Sequence, residues 1–439
     1  MAGEESSRRI DNDEVIALEG PPVALDDEEG EDPPETLRRA IGLWDLTQRE
    51  RHWLYRTWMR DWYTQHTEQL ASLQIRYDRN CKELNRMEQD LQVEVLSSAR
   101  IIGMTTTAVA KYQPLLQAIQ PEIVVVEEAA EVLESHIVTA LTGATKQVIL
   151  IGDHQQLRPG TAVYRLATHY NLDVSLFERL VRNGLPHVTL SRQRRMRTEI
   201  SKLIAPIYPN LRDHPDVLGW PSVRGVVPDM FFLDHSEPEG SNNDSASKTN
   251  KFEAAFTTAL CAYLLRNGYM QSQITILSTY VGQLLLIKRR LREAGMVDVL
   301  ATTVDNYQGE ENDIILLSLV RSNTISSIGF LSISNRVCVA LSRARHGFYI
   351  VGNAALLASK TKLWRQIFEY LRAENLMGKN LPLQLSSGQT SLVHCAEDFD
   401  ALLEREAAEH DGSESGEGGD CGENLGIAEV DDEGDEQKL

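Results

Sequence analysis

The sequence predicts an α/β protein with two domains built on parallel sheets, a long helical segment ahead of them and an acidic tail at each end. Three observations carry this. Short apolar runs alternate with helical stretches from residue 100 to residue 353, the pattern of strand–crossover–strand units. Those runs fall into two series, so two such layers are expected. Between Ile41 and Ser98 there is no proline, and no glycine after Gly42, while apolar residues recur at three- and four-residue steps.

Taken in order, residues 1–38 hold 13 acids and 3 bases, and residues 396–439 hold 17 acids and 2 bases. Stretches such as "DDEEGEDPPE" and "DGSESGEGGD" cannot bury enough apolar surface to offset the entropy of ordering them, so both tails are expected to be disordered. The net charge of −20 therefore hides a mildly basic body of +5, which permits a polyanionic partner. In the segment 39–98, Leu54, Trp58, Trp62, Leu70, Leu73 and Tyr77 keep a helical period. Some sixty residues exceed one globular helix, so a long antiparallel pair is expected. Its tryptophans at 44, 53, 58 and 62 suit either packing between the two helices or a base-stacking platform.

The first strand series is "RIIGM" (100–104), "EIVVVEE" (122–128), "QVILIGD" (147–153) and "HVTL" (187–190). The second is "MFFLD" (230–234), "ITILST" (274–279), "DVLATT" (298–303), "DIILLSL" (313–319) and "FYIVGN" (348–353). Residues 235–250 read as a polar surface loop, with a helix from Lys251. Five cysteines (81, 261, 338, 395, 421) form no CxxC pair, which argues against a disulfide framework or zinc and suits a reducing compartment. No apolar run approaches the ~18 residues of a membrane span, and no N-terminal apolar leader is visible. A soluble, intracellular protein with no membrane partner is expected.

The run "VVVEE" ends in two adjacent acids, Glu127 and Glu128. A solvated loop is one reading; the water-activating end of a nucleotide-hydrolysing strand is the other. In parallel α/β sheets ligands bind beyond the carboxyl ends of strands. A second strand, "LIGDHQQLRP", also ends in polar groups, Asp153 and Gln156, which favours the second reading.

Six stretches, in order, resemble the motif series of superfamily 1 helicases of the nonsense-mediated-decay type. They are "GMTTTAVAKY" (103–112), "VVEEAAE" (125–131), "GDHQQLRP" (152–159), "QRRM" (193–196), "TVDNYQGEEND" (303–313) and "VALSRARHG" (339–347). The helical segment before the first of them resembles the stalk of the large zinc-finger helicases of RNA silencing and antiviral defence. The resemblance implies two RecA-like P-loop NTPase domains, the first incomplete, with a helical stalk insertion. The expected boundaries are 39–98 for the stalk, 99–190 for the rest of the first domain and 191–395 for the second.

The resemblance also implies roles. Glu127 stands where the family holds Mg²⁺ with an Asp one methylene shorter. Glu128 would activate water, Gln156 would sense the γ-phosphate, and Arg195 and Arg343 would reach the phosphates of ATP, where arginine's planar fork suits phosphate oxygens. Asp153, Gly309 and Glu311 would lie at the nucleotide. Asp305, Tyr307 and Gln308 would couple that cleft to a track for single-stranded RNA or DNA, touched by Thr105, Thr106, Thr107, Thr279, Tyr280 and Thr303 as well as Gln308. Proteins of RNA-silencing complexes are implied partners, in the nucleus, the cytoplasm or both, and no zinc is expected here.

Other residues read more plainly. Arg192, Arg194 and Arg197 suggest a solvated face, and "IKRRLR" (287–292) either an exposed helix face or a phosphate tracker. His154 and His346 read as bystanders, and Cys338 as a core residue on a strand. No GxxxxGK[ST] occurs in the 439 residues, and "TGATKQ" (142–147) has the wrong spacing and no hydroxyl after its lysine. Three functions follow: a helicase homologue in truncated form, a non-hydrolysing RNA- or protein-binding module, or a split enzyme whose phosphate cradle comes from another chain.

Overall fold

The structure is a computed structural model and describes residues 42–241, 247–325, 327–385 and 387–402. Most of the acidic tails, 1–38 and 403–439, thus lies outside the described residues. The chain divides into two compact units, Met1–Ser98 and Ala99–Leu439.

In the first unit a single helix, α1, runs over Gln48–Ser97. This corrects the expected antiparallel pair and its packed tryptophans. Nothing between Gln48 and Ser97 supplies a turn: there is no glycine, no proline and no left-handed residue. The helix opens on a capping box, in which Thr47 accepts from the Glu50 N–H and Glu50 accepts from the Thr47 N–H. Trp44, Trp58 and Trp62 are exposed. Trp44 lies under the Arg51 guanidinium, and Trp62 stacks on His66.

The second unit begins with two short helices, α2 (Thr106–Lys111) and α3 (Gln113–Ile119). Strand β1 (Ile123–Val126) pairs in parallel with β2 (Gln147–Leu150), connected through α4 (Glu134–Ala140). The runs "RIIGM" and "HVTL" are not strands, a second correction: neither pairs with a strand among the described residues, and Ile101, Val188 and Leu190 are largely exposed. A strand needs a neighbour to take its backbone groups, and among the described residues neither run has one. Two further helices, α5 (Tyr164–Tyr170) and α6 (Leu176–Arg182), lead onward.

The second strand series forms as expected. In chain order come β3 (Met230–Asp234), α7 (Lys251–Arg266), β4 (Ile274–Ser278), α8 (Val281–Glu293), β5 (Leu300–Thr303) and β6 (Asn312–Ser318). Then follow α9 (Ser334–Leu341), β7 (Ala344–Gly352), α10 (Ala354–Lys360), α11 (Lys362–Ala373) and β8 (Met377–Gly378). The six strands pair in parallel in the order β8–β3–β7–β6–β4–β5. Part of the 235–250 stretch is a small antiparallel hairpin joining 240–241 to 248–249, with 242–246 outside the described residues.

Side-chain alternation divides the strands between two cores. Phe232, Leu277, Ile315, Leu317, Phe348 and Ile350 face one, with Trp364, Ile367 and Phe368 of α11 and the apolar side of α9. Leu233, Ile274, Ile276, Ile314, Leu316 and Val351 face the other, with Phe256, Leu260 and Leu264 of α7 and Ile287 and Leu291 of α8. The charged residues of "IKRRLR" lie exposed or half-buried beside Ile287 and Leu291. Cys338 is buried on helix α9, not on a strand.

A third correction concerns the C-terminal tail. After the hairpin of β9 (Leu381–Gln384) and β10 (Thr390–Val393), residues 396–402 are helical. Phe399 is 1% exposed and Leu402 5%, both in the second core. Asp398 accepts from the His394 and Cys395 N–H groups and so caps the turn. Averaging acidity over the whole tail conceals this apolar pair, three residues apart.

Phe399→Ala is accordingly expected to destabilise the second unit by about 3–5 kcal/mol, as chemical denaturation would read. A chain ending at 402 should unfold with the full-length midpoint, whereas one ending at 395 should unfold markedly earlier.

Candidate nucleotide-binding and nucleic-acid site

The candidate site lies within the second unit, where the loops after β1 and β2 meet the second sheet. Ladder bonding continues past both strands: Ile151 N–H donates to the Val126 carbonyl and Ala129 N–H to the Ile151 carbonyl. The two turns are pressed so close that a Cβ on Gly152 would lie 2.8 Å from the Ala130 nitrogen. Glu127 and Glu128 stand at this crossing, both exposed. Glu128 adopts a left-handed φ of +50°, a strained conformation for a glutamate and one that concentrates at functional sites.

The loop 153–157 is held from the second sheet's side. Asp153 accepts from Gln156 Nε2 at 2.9 Å and from Tyr208 Oη at 2.5 Å. Asn335 Nδ2 donates to the carbonyls of His154 (3.0 Å) and Gln156 (2.6 Å), and Gln308 Oε1 accepts from the Leu157 N–H. Leu157 joins the first core cluster. Gln308 reaches further, its Nε2 donating to Glu128 Oε2 at 3.4 Å. It stands between Tyr307 and Gly309, and Gly309 has a φ of +81°, a turn that glycine permits.

Arg343 closes the arrangement. It is 1% exposed, and its guanidinium donates to Gln156 Oε1 (3.2 Å), Ser342 Oγ (2.7 Å) and the carbonyls of Val339 and Glu310. Burial, then the neighbouring Arg195, pull its pKa down to about 10, so it stays cationic at neutral pH. Arg195 pairs with Glu311 and donates to the Ser342 carbonyl. Glu128, Asp153, Gln156, Gln308 and Arg343 therefore form one bonded cluster, with Arg195 and Glu311 adjoining it through Ser342.

Other expected residues are placed elsewhere. Thr105 caps α2 by accepting from the Ala108 N–H, while Thr106 is half-buried and Thr107 exposed. The Thr279 hydroxyl donates to the Leu319 carbonyl and its side chain is buried. Tyr280 Oη accepts from Arg321 and the Phe330 N–H, and Thr303 is half-buried at the end of β5. Arg192 and Arg194 are solvated, but Arg197 is not. It is buried, paired with Asp229 at 2.8 Å, and donates to the carbonyls of Pro221 and His346.

Tyr208, Asn335 and Glu131 were not singled out by sequence. Tyr208 and Asn335 act over separations of 55 and about 180 residues, which no local pattern reports. Glu131 ends the motif "VVEEAAE". Burial first, then Glu128 and Asp305, hold its carboxyl above the ordinary range. Asp305 is raised by its own burial, against the pull of Arg336.

These residues fit the reacting end of a magnesium–nucleotide site. Among the described residues the exposed Glu127 carboxylate has no partner, and Mg²⁺ takes one or two carboxylates with phosphate oxygens and water. Among the described residues no three His, Cys, Asp or Glu side chains could hold a metal alone, so phosphate oxygens would complete the shell. Among them, too, no helix is long and apolar enough to cross a membrane.

Two family models, each described as an AAA domain, match residues 50–162 and 172–355. The mouse NFX1-type zinc finger-containing protein 1 is 45% identical over 82% of this chain and 19% of its own length. The Schizosaccharomyces pombe helicase required for RNAi-mediated heterochromatin assembly 1 is 40% identical over 81% of this chain and 36% of its own. Regulator of nonsense transcripts 1 of Dictyostelium discoideum is 30% identical over 71% of this chain and 24% of its own. The chain thus spans about a fifth to a third of these relatives.

Glu131 gives a pH test. Its folded pKa lies above the ordinary value of 4.5, so ionising it costs stability once pH rises past that value. Glu131→Gln should therefore unfold at higher denaturant than the wild type at pH 7, with the gap closing below about pH 4. An equal gap at both pH values would contradict the assignment.

Proposed function

We propose, from the premise that the chain belongs to the superfamily 1 helicases of the nonsense-mediated-decay type, that it forms the reacting half of an ATP-dependent motor on single-stranded RNA. The observation that carries this is the Arg343–Gln156 bond, 3.2 Å long, with Glu128 tied to the same cluster through Gln308. A buried arginine, a glutamine and a strand-end glutamate from two α/β layers converge where a γ-phosphate would be cleaved.

In this reading Glu128 takes the proton from the water that attacks the γ-phosphorus, while the bond from that phosphorus to the bridging oxygen breaks and ADP leaves. Gln156 orients the water and the phosphate. Arg343 and Arg195 meet the charge that grows on the phosphoryl oxygens, and fixed cations in a dry site act there without reorganising. Glu127, together with phosphate oxygens, would hold Mg²⁺, which would supply positive charge against the phosphates. Asp153, Gly309 and Glu311 shape the surrounding wall. Opening the Arg343–Gln156 and Tyr208–Asp153 contacts would free the two layers to move, and Gln308, bonded to both layers, would report that motion to Tyr280, Thr303 and Thr105–Thr107 along the RNA. Residues 99–190 and 191–395 are the proposed layers, and RNA-silencing proteins, in nucleus or cytoplasm, the proposed company.

The sequence holds no phosphate cradle, and ground-state binding depends on one. The chain alone is expected to hydrolyse ATP poorly. With a cradle segment grafted or added as a second chain, Glu128→Gln should abolish turnover while nucleotide stays bound. Glu127→Gln should instead weaken Mg²⁺-dependent binding, because it removes a metal ligand. Identical behaviour of the two variants in turnover and nucleotide-binding assays would refute their separate roles.

The tails supply a second test. Residues 39–402 carry +2 and the flanking tails −22, so the tails are expected to compete with a polyanion for the body. Deleting 1–38 and 403–439, which spares Phe399 and Leu402, should tighten binding of single-stranded RNA. The gain should shrink as the Debye length falls from about 30 Å at 0.01 M salt to about 8 Å at 0.15 M. Fluorescence anisotropy at several salt concentrations reads this, and superimposable curves would remove the tails from the account.

A further inference from the structure

The chain leaves strand β6 through a turn that one of its own side chains opposes. The Leu319 carbonyl accepts from the Arg321 N–H at 2.8 Å, which makes Leu319–Val320–Arg321 a γ-turn, and Val320 takes a φ of +70°. The positive-φ form of this turn is the rare and strained one. Among the described residues Val320 is the only β-branched residue with a positive φ, and it is fully buried. Strain of this kind persists where the surroundings impose it, and it concentrates at functional sites.

Glu253, in the first turn of α7, imposes it. Its carboxylate is buried and accepts from three groups: the Val320 N–H (2.8 Å), Ser318 Oγ (2.6 Å) and His235 Nε2 (3.0 Å). The two side chains are both directed at it. Gln283 Nε2 donates to Ser318 Oγ, so the hydroxyl proton is turned towards Glu253. His235 Nδ1 accepts from the Glu237 N–H, so Nε2 carries the ring proton. Thr279 Oγ1 adds a second hold by donating to the Leu319 carbonyl. A glutamine at 253 would turn its own amide protons against one of the three donors, so the carboxylate is what the turn requires.

Past the turn, Arg321 Nη1 donates to Tyr280 Oη at 3.1 Å, and Glu239 accepts from Arg321 Nε at 2.9 Å. The Phe330 N–H donates to the same Oη, and a Cβ on Gly329 would lie 2.6 Å from it. Tyr280 is thus gripped at its hydroxyl end, and Arg321 is the part of the grip that depends on the turn. We propose that Glu253 is a positioning residue for the RNA track: by holding the γ-turn at Val320 it places Arg321 against Tyr280 and fixes that ring before RNA arrives. This rests on the reading that Tyr280 meets single-stranded RNA, since Glu253 is buried and touches none. A contact set in advance binds more tightly than one that must be ordered on binding.

Fluorescence anisotropy of the full chain with a labelled single-stranded RNA tests this, below the unfolding midpoint of each variant. Glu253→Gln should weaken binding roughly tenfold, within the range that release of one strained residue spans. Val320→Gly discriminates, because glycine takes positive φ without strain and keeps the turn with no carboxylate to impose it. Added to Glu253→Gln, it should recover most of the lost affinity. A merely structural Glu253 gives no such recovery, since a second core substitution adds its own damage to the first. A double variant as weak as Glu253→Gln therefore overturns the proposal. Should Glu253→Gln fail to fold, Thr279→Val, which removes the donor to Leu319, takes its place with the same recovery expected. A wild type that binds no RNA overturns the reading of Tyr280, and hydrogen exchange then decides the turn by itself. Exchange of the 318–323 backbone should quicken in Glu253→Gln and slow again when Val320→Gly is added; unchanged exchange in Glu253→Gln overturns the positioning role.

Discussion

A parallel sheet has two faces to bury, and this requirement organises the second unit. Five of its strands are apolar runs, and each face needs its own cover. One receives α11 and α9, the other α7 and α8. The family match ends at residue 355, yet Trp364, Phe368, Leu381, Val393 and Phe399 beyond it complete those two cores. The acidic character of the C-terminal segment is thus interrupted where the sheet still needs apolar cover. By contrast the β1–β2 pair leaves Ile123, Val125 and Ile151 exposed among the described residues.

Such a rigid sheet lets loops carry polar chemistry with precision. The 153–157 loop brings few apolar contacts of its own beyond Leu157, and it is located by Asn335, Gln308 and Tyr208, all from the second sheet's side. Arg343 is similarly fixed, since carbonyls of Val339 and Glu310 and the hydroxyl of Ser342 surround its fork. Burying a guanidinium costs free energy, and the lowered pKa records that cost. Its charge is nevertheless kept, because no group at this position other than arginine stays cationic through such burial. The left-handed backbone at Glu128 is a local strain of the kind that concentrates at functional sites.

The first unit obeys a different constraint. A helix of fifty residues is stabilised along its length by its own hydrogen bonds and its cap, and its apolar side chains from Leu70 to Leu91 are exposed among the described residues. The helical period alone is equally compatible with two short helices packed together or with one long helix. Continuity of the backbone, with no residue that turns it, separates the two.

Sequence by itself determined the α/β class and five of the six strands of the large sheet, and it singled out the residues of the candidate site, because these rest on local patterns. A buried strand must be apolar, and an acid at a strand's carboxyl end or an arginine in a phosphate motif is legible where it stands. Tertiary structure alone decided what depends on partners far along the chain. It showed that "RIIGM" and "HVTL" lack neighbouring strands, that the Thr279 hydroxyl is bound to Leu319, and that Arg197 is buried against Asp229. It also brought Tyr208 and Asn335 to the 153–157 loop. Each of these is a question of which group satisfies another's hydrogen bond or covers its apolar surface, and composition and spacing do not specify that until the chain has folded.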